Sequence, residues 1–498
     1  MALAMSTADT AATLAETSML VDLRPCYGGY AGIPQELRLL VALFARMGLK
    51  RLGGLASGTQ FAAPPRRAPG GTPFEQVLAQ TAALIEQDTG RHHLPAALAA
   101  VLPGRLRDKT HVIAGVLAAW RGADALDRPI DARLFEDFLW TRLFDKTLPP
   151  SDRGLLQRID FIATALGHEN ARSLSLLPAR LQPRLATSAW DVFFAAMVSP
   201  YRLSPTTAAM IRYYDALPLL SPHTISEPWR HAHSHARMLR RNIDAGAHFY
   251  CDSEPVRGDL LSLFPDAEAR VHTIPALVSP EYRPDVRPEP ELRAILGRRA
   301  SAETAASRPS DDKSAPLPKL FMAVSTLEPR KNYLVLFRAF ERARQMTAQP
   351  MQLLVVANAG WRSAAELGEL KLLVAEGAYH VSGVPAAELR ALYSAAHGVI
   401  APSRAEGFDL SGVEGMACGV PVIASDIPVH RWVYGDAAAY FDPYDEAALA
   451  TLMAQAAELP PATGVLADMR DRGFRRSALY TEAALAPRWE QAILDRRR

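Results

Sequence analysis

Cysteine is scarce in this sequence: Cys26, Cys251 and Cys418 are the whole complement of three in 498 residues. They lie far apart without paired spacing, which argues against a disulfide framework or a cysteine-based zinc site and fits a reducing cytoplasm. No apolar stretch reaches the roughly 18 uncharged residues of a spanning helix. Charge of one sign is lacking too: the formal net charge is +2, which gives no reason to expect a nucleic-acid partner. The first 18 residues have neither a basic start nor a long apolar core, so they read as a disordered leader, not a signal peptide. What remains is ordinary globular material, 49% hydrophobic and 22% charged. The chain is long enough for two cores, because single cores stop growing near about 250–300 residues.

The most informative stretch is VIAPSRAEGFDLSGVEGMACGVPVIAS, Val399 to Ser425. Short apolar runs bounded by Pro402 and Gly419 read as two buried parallel strands, Val399 to Ala401 and Val420 to Ala424. Between them lie a polar loop and a helix from about Ser411 to Cys418, with Ser411 as its expected N-cap. The positive end of that helix faces the loop and suits a phosphate. Gly407, lacking a Cβ, lets a ligand approach the backbone. Glu406 and Glu414 enclose seven residues; Glu414, expected in the first turn, can accept two ribose hydroxyls. An isolated pair of this spacing is more often two surface glutamates, but here glycines and two strands surround it.

PSRAEGFDLSGVEGMACGVPVIASDIP resembles the donor-site signature of retaining glycosyltransferases with the GT-B fold, in particular the large bacterial family that includes many mannosyltransferases. Members more often read E-G-F-G-L-P; here Asp409 and Ser411 stand at the glycine and proline positions. The resemblance runs from about Met19 to the C-terminus. It implies two Rossmann-like domains facing a cleft, an acceptor-side domain over 19–285 and a nucleotide-sugar domain over 319–480. A C-terminal helix over 481–498 would cross back. The donor would be held by Arg330 and Lys331 on the diphosphate and by the region of Gly383 and Val384 on the base. Glu406, Gly407, Phe408, Asp409, Leu410 and Ser411 would line the sugar and diphosphate, and Glu414 would take the ribose.

In chain order, Met19 to Leu23 reads as the first strand, followed by the glycine-rich turn PCYGGYAGIP and a helix over Gln35 to Arg46. Gly28 and Gly29 there would bring backbone amides to the cleft, although a tight turn without ligand explains them equally well. Residues from about 60 to 185 read as a helical insertion, including Phe74 to Asp88 and Ala132 to Phe144. His92 and His93 read as a solvated helix start. Trp190 to Met197 and Met210 to Tyr213 read as strands, placing Tyr214 and Asp215 at a strand's C-terminal end, where open α/β sheets bind ligands. Many relatives have His-Asp at this point; Tyr214 occupies the histidine position, and a tyrosine is no base near pH 7. His231, His233 and His235 alternate, but only the first and last share a helix face and no carboxylate completes a metal site. Residues 286–318, rich in Pro, Ala, Ser and charge, read as a flexible linker. Arg330 and Lys331 then open a helix, where cations oppose the helix dipole unless an anion binds.

The resemblance implies hexosyl transfer with retention from a nucleotide-sugar, GDP-mannose favoured, to a hydroxyl of a glycan or lipid-linked acceptor. The setting implied is bacterial lipopolysaccharide or capsule biosynthesis, in the cytoplasm and peripherally at the inner membrane. Arg330, Lys331 and the helix start would stabilise the leaving diphosphate. No metal or other cofactor is expected, since the sequence holds no Asp-x-Asp triplet. Two rivals stand beside this: another GT-B enzyme such as an epimerase or phosphorylase, and a non-catalytic partner subunit that binds a nucleotide-sugar.

Overall fold

The computed structural model describes residues 13–30, 32–57, 127–164, 184–225, 228–301, 318–459 and 464–497, with residue 304 and scattered positions between 72 and 81 and between 171 and 182. Two sheets organise them. The N-terminal sheet holds β1 (Ser18–Asp22), β2 (Arg51–Ser57), β3 (Asp127–Ile130), β4 (Ile159–Thr164), β5 (Val192–Ala195), β6 (Ala208–Tyr213), β7 (His248–Cys251) and β8 (Val271–Thr273), in the spatial order β3-β4-β2-β1-β5-β6-β7-β8. Neighbours run parallel except β3 on β4.

The C-terminal sheet holds β9 (Lys319–Val324), β10 (Met351–Val356), β11 (Tyr379–Val381), β12 (Gly398–Ala401), β13 (Val422–Ser425) and β14 (Ala438–Phe441). All its pairs are parallel, in the order β11-β10-β9-β12-β13-β14. This is the doubly wound order that reverses between its first and fourth strands, and ligands collect at the carboxyl ends of strands beside that reversal. The helices that matter for the site are α1 (Ile33–Arg46), α2 (Pro228–Asp244), α3 (Glu254–Leu263), α4 (Glu289–Arg299), α5 (Tyr333–Met346), α6 (Ala386–Ala395), α7 (Leu410–Ala417), α8 (Pro428–Tyr434) and α9 (Glu482–Leu494). Two Rossmann-like domains thus face each other across a cleft, the GT-B fold.

Several expectations need correction. The region read as a helical insertion contributes β3 and β4, and β4 is a full parallel member of the sheet. Its partner β2 was not legible either, because Gly53–Gly54 looks like a turn. A Cβ on Gly53 would lie 2.4 Å from the Trp190 ring, so the sheet accepts only glycine there. The helix expected over 74–88 lies mostly outside the described residues, as do His92 and His93. Within the stretch read as a linker, α4 is a packed helix: Ile295 and Leu296 are buried in the C-terminal core beside Leu389 and Leu392 of α6. The first strand begins at Ser18, and the part of the expected leader before residue 13 is outside the described residues.

The final helix packs on the N-terminal domain. Trp489 of α9 is fully buried among Phe44, Phe194 and Tyr250 of the N-terminal domain, with ring centroids 5.8, 5.7 and 5.4 Å away. Where the chain leaves the C-terminal domain, the Val278 amide donates to the Tyr480 carbonyl at 2.9 Å.

Candidate active site

The switch point between β9 and β12 brings two loops together. After β9, a short 3-10 turn, Pro329–Lys331, precedes α5, and Asn332 at φ 59° makes the bend. Following β12, Pro402 to Asp409 leads to α7. The loops are stitched side by side: Arg404 N donates to the Arg330 carbonyl at 2.8 Å, and Asn332 Nδ2 to that of Pro402 at 3.0 Å. Glu406 therefore lands between the two cations. Its Oε2 accepts from Arg330 Nη1 at 2.9 Å, while Oε1 accepts from Lys331 and from the Ser403 hydroxyl. Glu328 braces Arg330 from behind at 3.1 Å. Burial alone would raise the Glu406 pKa; Lys331 and Arg330 outweigh it and hold the carboxyl below its usual value.

Asp409 occupies the left-handed region at φ 72°, ψ 82°. A glycine would take that conformation freely, and aspartate is among the few other residues that tolerate it. Local contacts hold it: Ser411 Oγ donates to Oδ1 at 2.5 Å, and Oδ2 sits 3.2 Å from Nε2 of the buried His430, within ion-pair range although off hydrogen-bond alignment. Burial opposes ionisation of Asp409, but His430 and Ser411 prevail and keep its pKa well below the ordinary range. Ser411 is thus not the cap. The helix begins at Leu410, no side chain caps it, and Glu414 lies in its second turn.

Glu414 is buried. Its Oε1 accepts from Gln35 Nε2 of α1 at 2.7 Å and its Oε2 from the Tyr393 hydroxyl at 3.2 Å. Burial raises its pKa, these hydrogen bonds lower it, and the balance is about 7.

The opposite wall comes from the ends of β6 and β7 and the start of α1. A fully buried pair, Arg212–Glu36 at 2.5 Å, anchors it. Arg212 also donates to the carbonyls of Ile274, Tyr250 and Cys251. That guanidinium lies 5.5 Å from the Tyr214 ring. Asp215 accepts from its own loop, Leu217 N at 3.1 Å; burial raises its pKa and Arg330 across the cleft lowers it in part. The Ser253 hydroxyl donates to the Gly407 carbonyl at 2.7 Å, so the walls touch directly.

These walls enclose a cavity of about 550 Å³, within the usual range for a small-molecule site. Arg330, Lys331, Gly383, Val384, Glu406 to Ser411 and Glu414 all line it, as do Tyr214 and Asp215. Phe408 reaches beyond it to pack edge-on against Tyr480 at 5.0 Å. Gly28 and Gly29 are a correction. The buried Arg38 draws their carbonyls inward at 2.7 and 2.8 Å, and the cleft face of that loop is Tyr30 and Gly32 to Glu36 instead. Gln35, Glu36, Arg212 and Asp252 were missed by sequence reasoning; a lone arginine inside the strand AAMIRY was the one available signal. Of the alternating histidines, His235 meets the Tyr213 hydroxyl at 3.2 Å and His233 stacks on Trp229. Among the described residues no three His, Cys, Asp or Glu side chains gather as metal ligands.

Residues 308–474 match the family described as Glycosyl transferases group 1. The chain is similar to O-antigen chain mannosyltransferase B of Escherichia coli, 34% identical over 133 residues, 26% of this chain and 35% of that protein. It also resembles O-antigen chain mannosyltransferase RfbU of Salmonella typhimurium, 29% identical over 28% of this chain and 39% of that one. The match thus spans little more than a third of these relatives' length. Among solved structures, the Anabaena protein HepE in complex with UDP aligns over 73% of this chain and 96% of its own, at 14% identity and a TM-score of 0.48.

Proposed function

We propose that the chain is a retaining glycosyltransferase that moves a hexose, mannose favoured, from a GDP-sugar to a hydroxyl of a glycan or lipid-linked acceptor in bacterial surface-polysaccharide synthesis. The observation that carries the proposal is Arg330, Lys331 and Glu406 gathered as one network at the switch point of the C-terminal sheet. The matched segment contains that network, and two relatives are named as O-antigen mannosyltransferases. In this reading the two cations and the uncapped start of α7 receive the charge that builds on the departing diphosphate. Glu406 orients sugar hydroxyls, and the donor phosphate itself takes the acceptor proton, so the chemistry asks for no protein base and no metal. A lipid-linked acceptor would place the enzyme against a membrane face; among the described residues no helix is long and apolar enough to cross one.

A thermal-shift panel tests the donor. GDP-mannose at a hundredfold excess over its Kd should stabilise the protein by about 2.7 kcal/mol, with UDP-glucose giving less. A shift with UDP-linked sugars alone would refute the GDP assignment. Absence of any shift, together with absence of transfer, would refute the enzyme.

Ribose binding at Glu414 gives a pH signature. The ribose hydroxyls donate to the ionised carboxylate, exchanging the Gln35 hydrogen bond for ligand ones. Since that carboxyl titrates near about 7, protonation on the acid side removes acceptor capacity, and GDP should bind more tightly at pH 8 than at pH 6. The increment should shrink in Glu414→Gln to the part that the second ionisation of the GDP terminal phosphate supplies. Calorimetry at both pH values decides it, and identical profiles for the two proteins would rule the ribose contact out.

A further inference from the structure

The N-terminal wall holds two polar groups that no described residue satisfies. Asp252 follows β7 directly and is 2% exposed, yet its Oδ1 has no hydrogen-bond partner among the described residues. The Tyr214 hydroxyl, at the end of neighbouring β6, lies near Glu36 without forming an aligned hydrogen bond and is likewise unpartnered. Both residues line the cavity. They stand where the walls meet: a Cβ placed on Gly407 would lie 1.9 Å from the Tyr214 carbonyl oxygen and 3.2 Å from Asp252 Oδ2. Glu406 of the cation network is the next residue along that loop. Buried polar atoms are nearly always paired, so two neighbouring exceptions inside a cavity need an explanation, and a ligand atom supplies one.

We propose that Asp252, with the Tyr214 hydroxyl beside it, forms a recognition point for one sugar hydroxyl, belonging either to the transferred hexose or to the acceptor. This rests on the reading of the cleft as a glycosyl-transfer site. A sugar hydroxyl carries one donor and two acceptor positions, so it can donate to Asp252 Oδ1 while accepting from Tyr214. Surrounding charge supports a positioning part over a basic one. Burial pushes the Asp252 carboxyl well above its ordinary pKa, Arg212 draws it back, and Glu36 and Asp215 push it up again. A neutral carboxyl does not accept the acceptor's proton, but it both gives and takes a hydrogen bond.

The test compares Asp252→Ala and Asp252→Asn with wild type by calorimetry. The probes are GDP, GDP-mannose, and methyl α-mannoside added in the presence of GDP. If the hydroxyl belongs to the transferred hexose, Asp252→Ala weakens GDP-mannose at least tenfold and leaves GDP within twofold. If it belongs to the acceptor, GDP-mannose binds as in wild type and methyl α-mannoside is lost. In either case Asp252→Asn, which keeps an acceptor and a donor in the same shape, recovers most of the loss. The inference is overturned if Asp252→Ala leaves all three affinities within twofold, if GDP weakens as much as GDP-mannose, or if the Asn variant is no better than Ala. Wild type that binds none of the probes would instead overturn the functional reading beneath it, and this inference with it.

Discussion

Glu406→Ala should lower the transfer rate by about 10²–10³-fold while leaving GDP affinity unchanged or stronger, the loss typical of removing one preorganised group from a transition-state site. The carboxylate, 6% exposed, is the counter-charge of both Arg330 and Lys331. Deleting it leaves Lys331 without its carboxylate and Arg330 with Glu328 alone, and breaking a buried pair costs ~3–5 kcal/mol of stability. A diphosphate brings negative charge to the same place, so GDP should restore much of that stability. The rise in Tm produced by GDP should therefore be larger in the variant than in wild type. Arg330→Ala or Lys331→Ala should behave oppositely, each weakening GDP by ~1.5–3 kcal/mol through loss of a charge-assisted contact. Glu406→Gln, which keeps the shape and the Ser403 contact, serves if the alanine variant does not fold unliganded. A Glu406 variant that transfers at the wild-type rate, or that loses GDP as steeply as the cation variants, would show the roles within this network to be misassigned.

Gly407→Ala should cost nearly as much for a different reason. The added Cβ would fall 1.9 Å from the Tyr214 carbonyl oxygen, a backbone atom that cannot swing aside. The two walls must then stand apart by about an ångström, and misplacement on that scale can cost about 10²-fold in rate. The proposed nucleotide contacts all lie on the C-terminal side, so GDP affinity should change little. The expected signature is a large fall in kcat with a near-normal Kd for GDP. A variant that transfers within threefold of wild type would mean that the walls separate during turnover and that Gly407 answers some other demand.

The C-terminal half was largely legible because its strands are short apolar runs between breakers, as in LFMAVS, QLLVVA and VIA. Its charged loop residues also carried a physical oddity, cations at a helix start, which the structure answers with Glu406 and Glu328. The helix boundary was misjudged because Asp409 looks like a loop residue, and only His430 from α8 reveals that it is the one holding the left-handed bend. The N-terminal wall was harder to read. Glu36 sits in an amphipathic helix and Arg212 in a strand, and neither position announces that they meet in the core. Asp252, within CDSEP, looks like ordinary loop chemistry before the true cap Ser253. Just before the region read as helical, Gly53–Gly54 hid β2: the Trp190 ring fills the space a Gly53 side chain would need, and Leu23 that of Gly54.

The burial of Trp489 among Phe44, Phe194 and Tyr250 makes the order of the chain a poor guide to its units. Among the described residues the polypeptide passes between the domains twice, near Leu277–Val278 and again after Tyr480, with the two passages joined by the hydrogen bond from Val278 to Tyr480. Two such crossings hold the domains together where one would leave a single tether. The same wiring misleads deletion mapping. Trimming the last helix would damage the domain farthest from it in sequence, and the N-terminal domain would fail first while the C-terminal one kept its own core.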